Sequence, residues 1–257
     1  MRAIVLGAGF LGKAFEKAGF EVWGKDKMML PALPDVMDRL MPYDVVINCM
    51  GKSNTRWCED RDNFQAAMLS NAAIPRILSD YCMGTDKQFV HISTGCLYDH
   101  LTRGNTEKSF KTAHCNYTVT KWAGEMGCHE WDLVLRPRLL FSDAVHPKNL
   151  LSKIATYDRF LTEYNSYTSL RIIVEATKVL LVAEQTGVFN VACDGCLTVY
   201  DIATIMGLRG GKINSKEMHR AQKLFLVSNT MDIAKLYKFY QPPTLKDEVM
   251  RCWKALV

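Results

Sequence analysis

The sequence predicts an α/β fold, a Rossmann-type doubly wound parallel sheet with a smaller C-terminal substrate-binding lobe. Three observations predict it. A short apolar run enters a glycine-rich turn at Gly7-Ala-Gly-Phe-Leu-Gly12. Apolar runs at 44–49, 88–93 and 132–136 then alternate with helical stretches, the pattern of a parallel sheet covered on both faces. After Arg136-Pro-Arg138 the texture changes to short, mixed segments.

Residues 2–6 read as the first strand and Gly12 to about Ala18 as a helix. Gly19–Gly24 alternates like a second strand and ends at Lys25-Asp26-Lys27. Only a short segment with prolines at 31 and 34 precedes the next strand, Asp44–Cys49, so the outer strand of a full nucleotide-binding half is abbreviated. A long helical region spans about Trp57 to Tyr81, with Pro75 marking a break or restart. Strand 88–93, a helix from Tyr117 to about Cys128 and strand Asp132–Arg136 follow. Helices are expected over 148–157 and 169–184, a strand over 187–192, and a helix to Ile205 opened by a capping box at Thr198-Val-Tyr-Asp201. The tail reads as a strand at Leu224–Val227 with two helices. The expected division is 1–140 plus 170–193 for dinucleotide binding, and 141–169 plus 194–257 for the substrate lobe.

The 257 residues can bury a full core. A net charge of +5, without basic runs, argues against nucleic acid or a membrane surface and suits a cleft for an anionic ligand. No apolar stretch approaches the roughly 20 residues of a membrane span, and the N-terminus reads as a strand rather than a signal peptide. Nine scattered cysteines suit free thiols in a reducing, cytoplasmic setting. Cys193-Asp-Gly-Cys196 lacks a second ligand pair, so no metal is expected.

Gly7, Gly9 and Gly12 follow a strand and open a helix, the context of a dinucleotide fingerprint. Gly7 permits the tight turn, Gly9 the approach of backbone to pyrophosphate, and Gly12 close packing of helix on strand. The amides of Phe10 and Leu11 stand at the helix start, where the pyrophosphate charge is favoured. Asp26 is placed to accept from the ribose hydroxyls of NADH, and Lys27, with Lys25, to pair with the extra phosphate of NADPH.

The stretch His91-Ile-Ser-Thr94-Gly-Cys96 ends a buried strand, and Tyr117-Thr-Val-Thr-Lys121 follows on a helix. Positions i and i+4 share a helix face, and a neighbouring ammonium favours the ionised phenol. Tyr117 is expected to protonate a ketone oxygen as hydride arrives, Thr94 to hold that oxygen, and Lys121 to reach the nicotinamide ribose.

In these motifs the chain resembles the extended short-chain dehydrogenase/reductase family along nearly its whole length. Within it, the chain is similar to the nucleotide-sugar branch that makes rhamnose. Val46-Ile-Asn-Cys49 matches the strand before the nicotinamide, which implies a cofactor contact for Cys49. Asn71 matches the asparagine of the following helix, and Trp57-Cys58-Glu59 a segment of the rhamnose branch. Ser93-Thr-Gly-Cys96 and Pro147-Lys-Asn-Leu-Leu-Ser-Lys153 resemble the branch members that combine UDP-4-keto-6-deoxyglucose 3,5-epimerase and 4-reductase activities. The dTDP-4-dehydrorhamnose reductases, which only reduce, carry Asp-Tyr at the positions of Gly95-Cys96.

The resemblance implies that Cys96 and Lys153 serve epimerisation, that Asn149 bonds the nucleotide diphosphate, and that two copies pair through helices near 60–80 and 115–128. C3 and C5 both flank the C4 ketone, so either enolate places its charge on the oxygen held by Thr94 and Tyr117. Two residues beyond Thr94 on an extended segment, Cys96 would face the same side. The alternatives are a small core residue for Cys96, a solvated lysine for Lys153 and a helix-surface residue for Asn149. The chain departs from the family in its two-glycine spacing, its short loop between Asp99 and Asn116, and Lys25-Asp26-Lys27, which leave cofactor and nucleotide base open. The implied activity is formation of UDP-L-rhamnose. A reductase acting on an already epimerised sugar, and a non-catalytic nucleotide sensor, are the competing readings.

Overall fold

The computed structural model describes residues 1–27, 33–222 and 227–257. In chain order the elements begin with β1 (Ala3–Leu6), α1 (Phe10–Lys17), β2 (Glu21–Trp23), α2 (Leu33–Leu40), β3 (Val45–Asn48), α3 (Thr55–Glu59) and α4 (Arg61–Met68). A π-helical turn, Leu69–Ala73, leads into α5 (Ile74–Gly84), β4 (Gln88–Ile92), a 3-10 turn at Gly95–Leu97, α6 (Asn116–Met126) and β5 (Leu133–Pro137). Then come β6 (Leu140–Phe141), α7 (Leu150–Ile154), β7 (Arg159–Leu161), β8 (Thr168–Ser169), α8 (Leu170–Val182) and β9 (Gly187–Val191). The chain closes with α9 (Val199–Ile205), β10 (Gly211–Ile213), α10 (Ser215–Gln222), α11 (Ala234–Tyr237) and α12 (Leu245–Leu256).

A six-stranded sheet runs β2-β1-β3-β4-β5-β9, and β1 pairs in parallel with β2 and β3, as do β3 with β4 and β4 with β5. This is the expected doubly wound order. Among the described residues no strand stands outside β2, as the short segment before Asp44 implied. Strands β1 and β3 are apolar and almost wholly buried, because helices cover both faces of a parallel sheet. One core cluster joins Ile4, Leu6, Val46 and Phe89 of the strands to Val36, Leu40, Leu78 and Cys82 of the helices.

The chain divides into two compact units. The first comprises residues 1–94, 115–136 and 184–188; the second comprises 95–114, 137–183 and 189–257. Besides its share of the large sheet, the second contains the two-stranded pairings β7 with β10 and β6 with β8.

Pro75 marks a restart of the helical region, not a break in it. It occupies the first turn of α5, and the π turn just before it supplies the wider winding that accommodates the missing N–H. Thr198 and Asp201 form the expected capping box. The strand expected from Leu224 lies, over 224–226, outside the described residues. Among the described residues no helix is long and apolar enough to cross a membrane. All nine cysteines are free thiols, with Cys193 buried and Cys196 exposed.

Candidate functional site

In the first unit the glycine turn is built by contact. Gly7 has φ +112°, and a Cβ there would lie 3.0 Å from the Cys49 carbonyl carbon. A Cβ on Gly12 would lie 1.8 Å from the Gly7 oxygen, so only glycine lets α1 pack on its own turn. A Cβ on Gly9 would meet nothing within 4 Å, which leaves an open face beside the start of α1. Gly9 caps that helix without a side-chain hydrogen bond, and the Phe10 and Leu11 side chains are buried, so backbone is what the turn presents. This open cradle fits a dinucleotide pyrophosphate.

Asp26 folds back over Gly24. Its Oδ1 lies 2.7 Å from where a Gly24 Cβ would stand, and Ala8 Cβ lies 3.5 Å from the same point. Lys25 and Lys27 are exposed. Arg39 was not anticipated from sequence: its guanidinium stacks 4.5 Å over the Trp23 ring and donates to the Lys27 carbonyl at 3.0 Å. A third cation thus joins the pair that flanks Asp26.

Strand β4 ends at Ile92 and leaves Ser93 and Thr94 buried. Lys121, on α6, is itself buried; its Nζ donates to the Ile92 carbonyl at 2.7 Å and meets His91 Nε2 at 3.5 Å. Burial pushes the Lys121 ammonium down to about 8, against the opposing pull of Cys128, Glu125 and Cys49. Burial, with the Lys121 charge second, holds His91 well below its ordinary range, which favours the neutral ring. Asn48 lies 3.3 Å from His91 Nδ1, while its Oδ1 accepts from the Met50 amide at 3.0 Å. His91 and Asn48 lie inside stretches singled out in the sequence, yet neither has a role there; a histidine inside an apolar strand is the hint to one.

Tyr117 stands half-buried in the first turn of α6. Glu59 accepts from the Asn116 amide at 2.7 Å, a carboxylate at a helix start. This gives a physical role to the segment Trp57-Cys58-Glu59. Asn71, in the π turn, accepts from the Lys52 amide at 2.8 Å and donates to the Lys52 carbonyl and to Thr120 Oγ1, each at 3.0 Å. A Cβ on Gly124 would lie 1.9 Å from the Asn71 oxygen, so α6 rides directly on that turn. A buried network completes the frame: Ser93 Oγ donates to Glu125 at 2.7 Å, and Arg136 pairs with the same carboxylate.

In the second unit, Cys96 is half-buried in the 3-10 turn. This corrects the alternation used to aim it, because residues 95–97 wind instead of extending and the period of two does not carry past Thr94. Arg138 is 1% exposed, and its Nη1 donates to Cys96 Sγ at 3.1 Å. Its Nη2 donates to Asn165 Oδ1 at 2.6 Å and to the Val227 carbonyl. Asn229 donates to the carbonyls of Gly95 and Tyr98, and Met231 packs where a Gly95 Cβ would go. Arg138 was passed over in the sequence, where it stands only as the second arginine of Arg136-Pro-Arg138.

Lys153 is exposed on the last turn of α7. Asn149 is 0% exposed. Its Oδ1 accepts from the amides of Ser142 and Leu151, and its Nδ2 donates to the carbonyls of Ser142 and Ala144. With every polar position of the amide engaged, Asn149 is the N-cap of α7 and not a surface residue. The expected bond to a diphosphate would require breaking this set. Thr94, Tyr117 and Lys121 therefore belong to the first unit, and Cys96, Asn149 and Lys153 to the second.

Residues 4–134 match the model of the NAD dependent epimerase/dehydratase family. The chain belongs to that family. Among curated proteins it is 26% identical over 265 residues to a trifunctional UDP-glucose 4,6-dehydratase/UDP-4-keto-6-deoxy-D-glucose 3,5-epimerase/UDP-4-keto-L-rhamnose-reductase of Arabidopsis thaliana. That match takes in 95% of this chain and 40% of the plant protein, so the chain spans well under half of the relative. Its fold is similar to the UDP-rhamnose synthase of Acanthamoeba polyphaga mimivirus, with a TM-score of 0.85, 18% identity and 99% of each chain covered. It is also similar to a dTDP-4-dehydrorhamnose reductase from Bacillus anthracis solved with NADP, with a TM-score of 0.82, 15% identity and coverage of 98% of this chain and 97% of the other.

Proposed function

We propose that this family member converts UDP-4-keto-6-deoxyglucose to UDP-L-rhamnose, by epimerisation at C3 and C5 followed by reduction at C4. The observation that carries the reading is the Lys121 ammonium on the Ile92 carbonyl, two residues before Thr94 and one helical turn from Tyr117. NADPH or NADH, when bound, would supply hydride to the ketone carbon. Tyr117 gives its proton to the ketone oxygen, Thr94 holds that oxygen by its hydroxyl, and Lys121 orients the nicotinamide ribose and restores the tyrosine proton. Gly7, Gly9, Gly12 and the amides of Phe10 and Leu11 take the pyrophosphate, with Asp26 and Lys27 at the adenosine end and Cys49 beside the nicotinamide. Cys96 and Lys153 supply the epimerase acid and base. Asn149 caps the helix that carries Lys153, a positioning role.

The competing reading is reduction alone. The solvent exposure of Lys153 is what favours it. Incubation with UDP-4-keto-6-deoxyglucose and NADPH separates the two. Cofactor oxidation with UDP-L-rhamnose as product is expected. Oxidation only after an added 3,5-epimerase would leave a reductase, and no turnover of either ketone would leave a non-catalytic binder.

A further inference from the structure

Arg138 is a buried permanent cation. A guanidinium stays protonated at any working pH, and burying one is costly unless an anion balances it. Among the described residues no carboxylate lies within ion-pair distance of Arg138. Its partners are the Asn165 amide oxygen, the Val227 carbonyl and Cys96 Sγ, and its Nε is buried with no hydrogen-bond partner. Tyr167, whose phenol burial pushes up, and His100, which burial pushes down, are titratable groups that feel its charge, and neither is a carboxylate. Of the atoms it touches, only the cysteine sulfur can become an anion.

We propose that Arg138 is a positioning residue for Cys96, whose guanidinium holds the sulfur and supplies the positive charge that accompanies the thiolate whenever Cys96 takes or gives a proton. The proposal rests on the epimerase reading and names a residue that reading does not use. When the thiolate takes the proton from C3 or C5, the C–H bond breaks and an S–H bond forms. The C–H electron pair passes into the enolate, and the acid on the other face returns a proton to carbon. In the reverse sense the thiol gives its proton to the enolate carbon and becomes the thiolate. One direction begins from the thiolate and the other ends on it, and in both it stands at the same place, 3.1 Å from Nη1. Asn165 and Val227 tether the other guanidinium nitrogen, so the charge is fixed before the proton moves. Loss of the thiol proton to solvent and uptake of a solvent proton by the opposite acid reset the pair when Cys96 is the base. The reverse transfers reset it when Cys96 is the acid, and either way the hydrogen delivered to carbon comes from solvent.

The test is peptide-resolved alkylation by iodoacetamide at one fixed pH, read together with solvent deuterium exchange. In the wild type, half-buried Cys96 is expected to react about tenfold faster than exposed Cys196, since the thiolate is the nucleophile. Equal or slower labelling of Cys96 overturns the proposal without any variant having to fold. In Arg138→Met, labelling of Cys96 and exchange at C3 and C5 should both fall by about tenfold to a hundredfold, with reduction of the already epimerised ketone retained. Arg138→Lys should recover part of both. Unchanged labelling in folded Arg138→Met, or equal loss of exchange and reduction, overturns the proposal. Failure of the wild type to exchange deuterium at all would defeat the epimerase reading, while the labelling contrast would still judge Arg138.

Discussion

The two units bury their cations to opposite ends. In the first, beside the ion-paired Arg136, a lysine is buried too, Lys121, whose ammonium burial brings down to about 8. In the second, the buried cation is an arginine, Arg138, while the lysine of interest, Lys153, stands in solvent. Lysine changes charge readily when desolvated and suits a place where a proton must pass. Arginine keeps its charge and offers a rigid fork, which suits a place where an anion must be held. Under the proposed function, the first unit would deliver the proton during reduction and the second would steady a sulfur anion during epimerisation.

The contrast breaks first at Tyr117. In Tyr117→Phe the rate of reduction should fall by about 10²- to 10⁴-fold, the usual worth of a positioned acid, while deuterium exchange at C3 and C5 falls by less, since Thr94 still holds the enolate oxygen. Loss of both together would mean that the units do not divide the chemistry. The next effect is structural. Arg136→Met leaves Glu125 and its hydrogen bond to Ser93 without a counter-charge, and denaturant unfolding should show a loss of about 3–5 kcal/mol. A loss below 1 kcal/mol would show that the network does not hold the end of β4.

Lys121 sharpens the comparison through pH. Its pKa is lowered in the fold from 10.5 to about 8, so the unfolded chain binds more protons between those values. The penalty is complete below pH 8 and is relieved as pH rises toward 10.5, so stability should rise across that window. Lys121→Met should be inactive in reduction yet more stable than wild type at pH 7, by at most about 3 kcal/mol less the lost bond to Ile92. The advantage should shrink by pH 10 in paired melts. An advantage independent of pH would place the effect in packing.

The smallest effect is expected at Asn149. Asn149→Ala removes a helix cap worth about 1 kcal/mol and should leave KM for the nucleotide sugar near its wild-type value. A large rise in KM with unchanged stability would restore the substrate contact read from the sequence.

Much of the first unit was legible because its constraints are local. Gly7, Gly9 and Gly12 are dictated by turn and packing geometry within one segment, and Tyr117 and Lys121 by the period of one helix. What was missed comes from long-range pairing of residues with no shared motif. His91 meets Lys121 across 30 positions, and Arg138 meets Cys96 across 42. Alternation aimed Cys96 wrongly because nothing in Gly95-Cys-Leu97 announces a 3-10 turn. That turn is stabilised from far along the chain, by Asn229 and Met231. The cap made by Asn149 was not legible because asparagine serves ligands and helix caps with the same atoms.

The most direct test of the division of labour is turnover of UDP-4-keto-6-deoxyglucose with NADPH in deuterium oxide, comparing wild type with Cys96→Ala. The wild type should yield UDP-L-rhamnose carrying deuterium at C3 and C5. Cys96→Ala should incorporate none and still reduce the already epimerised ketone. Deuterium at both carbons in Cys96→Ala, or its absence from the wild-type product, would contradict the account.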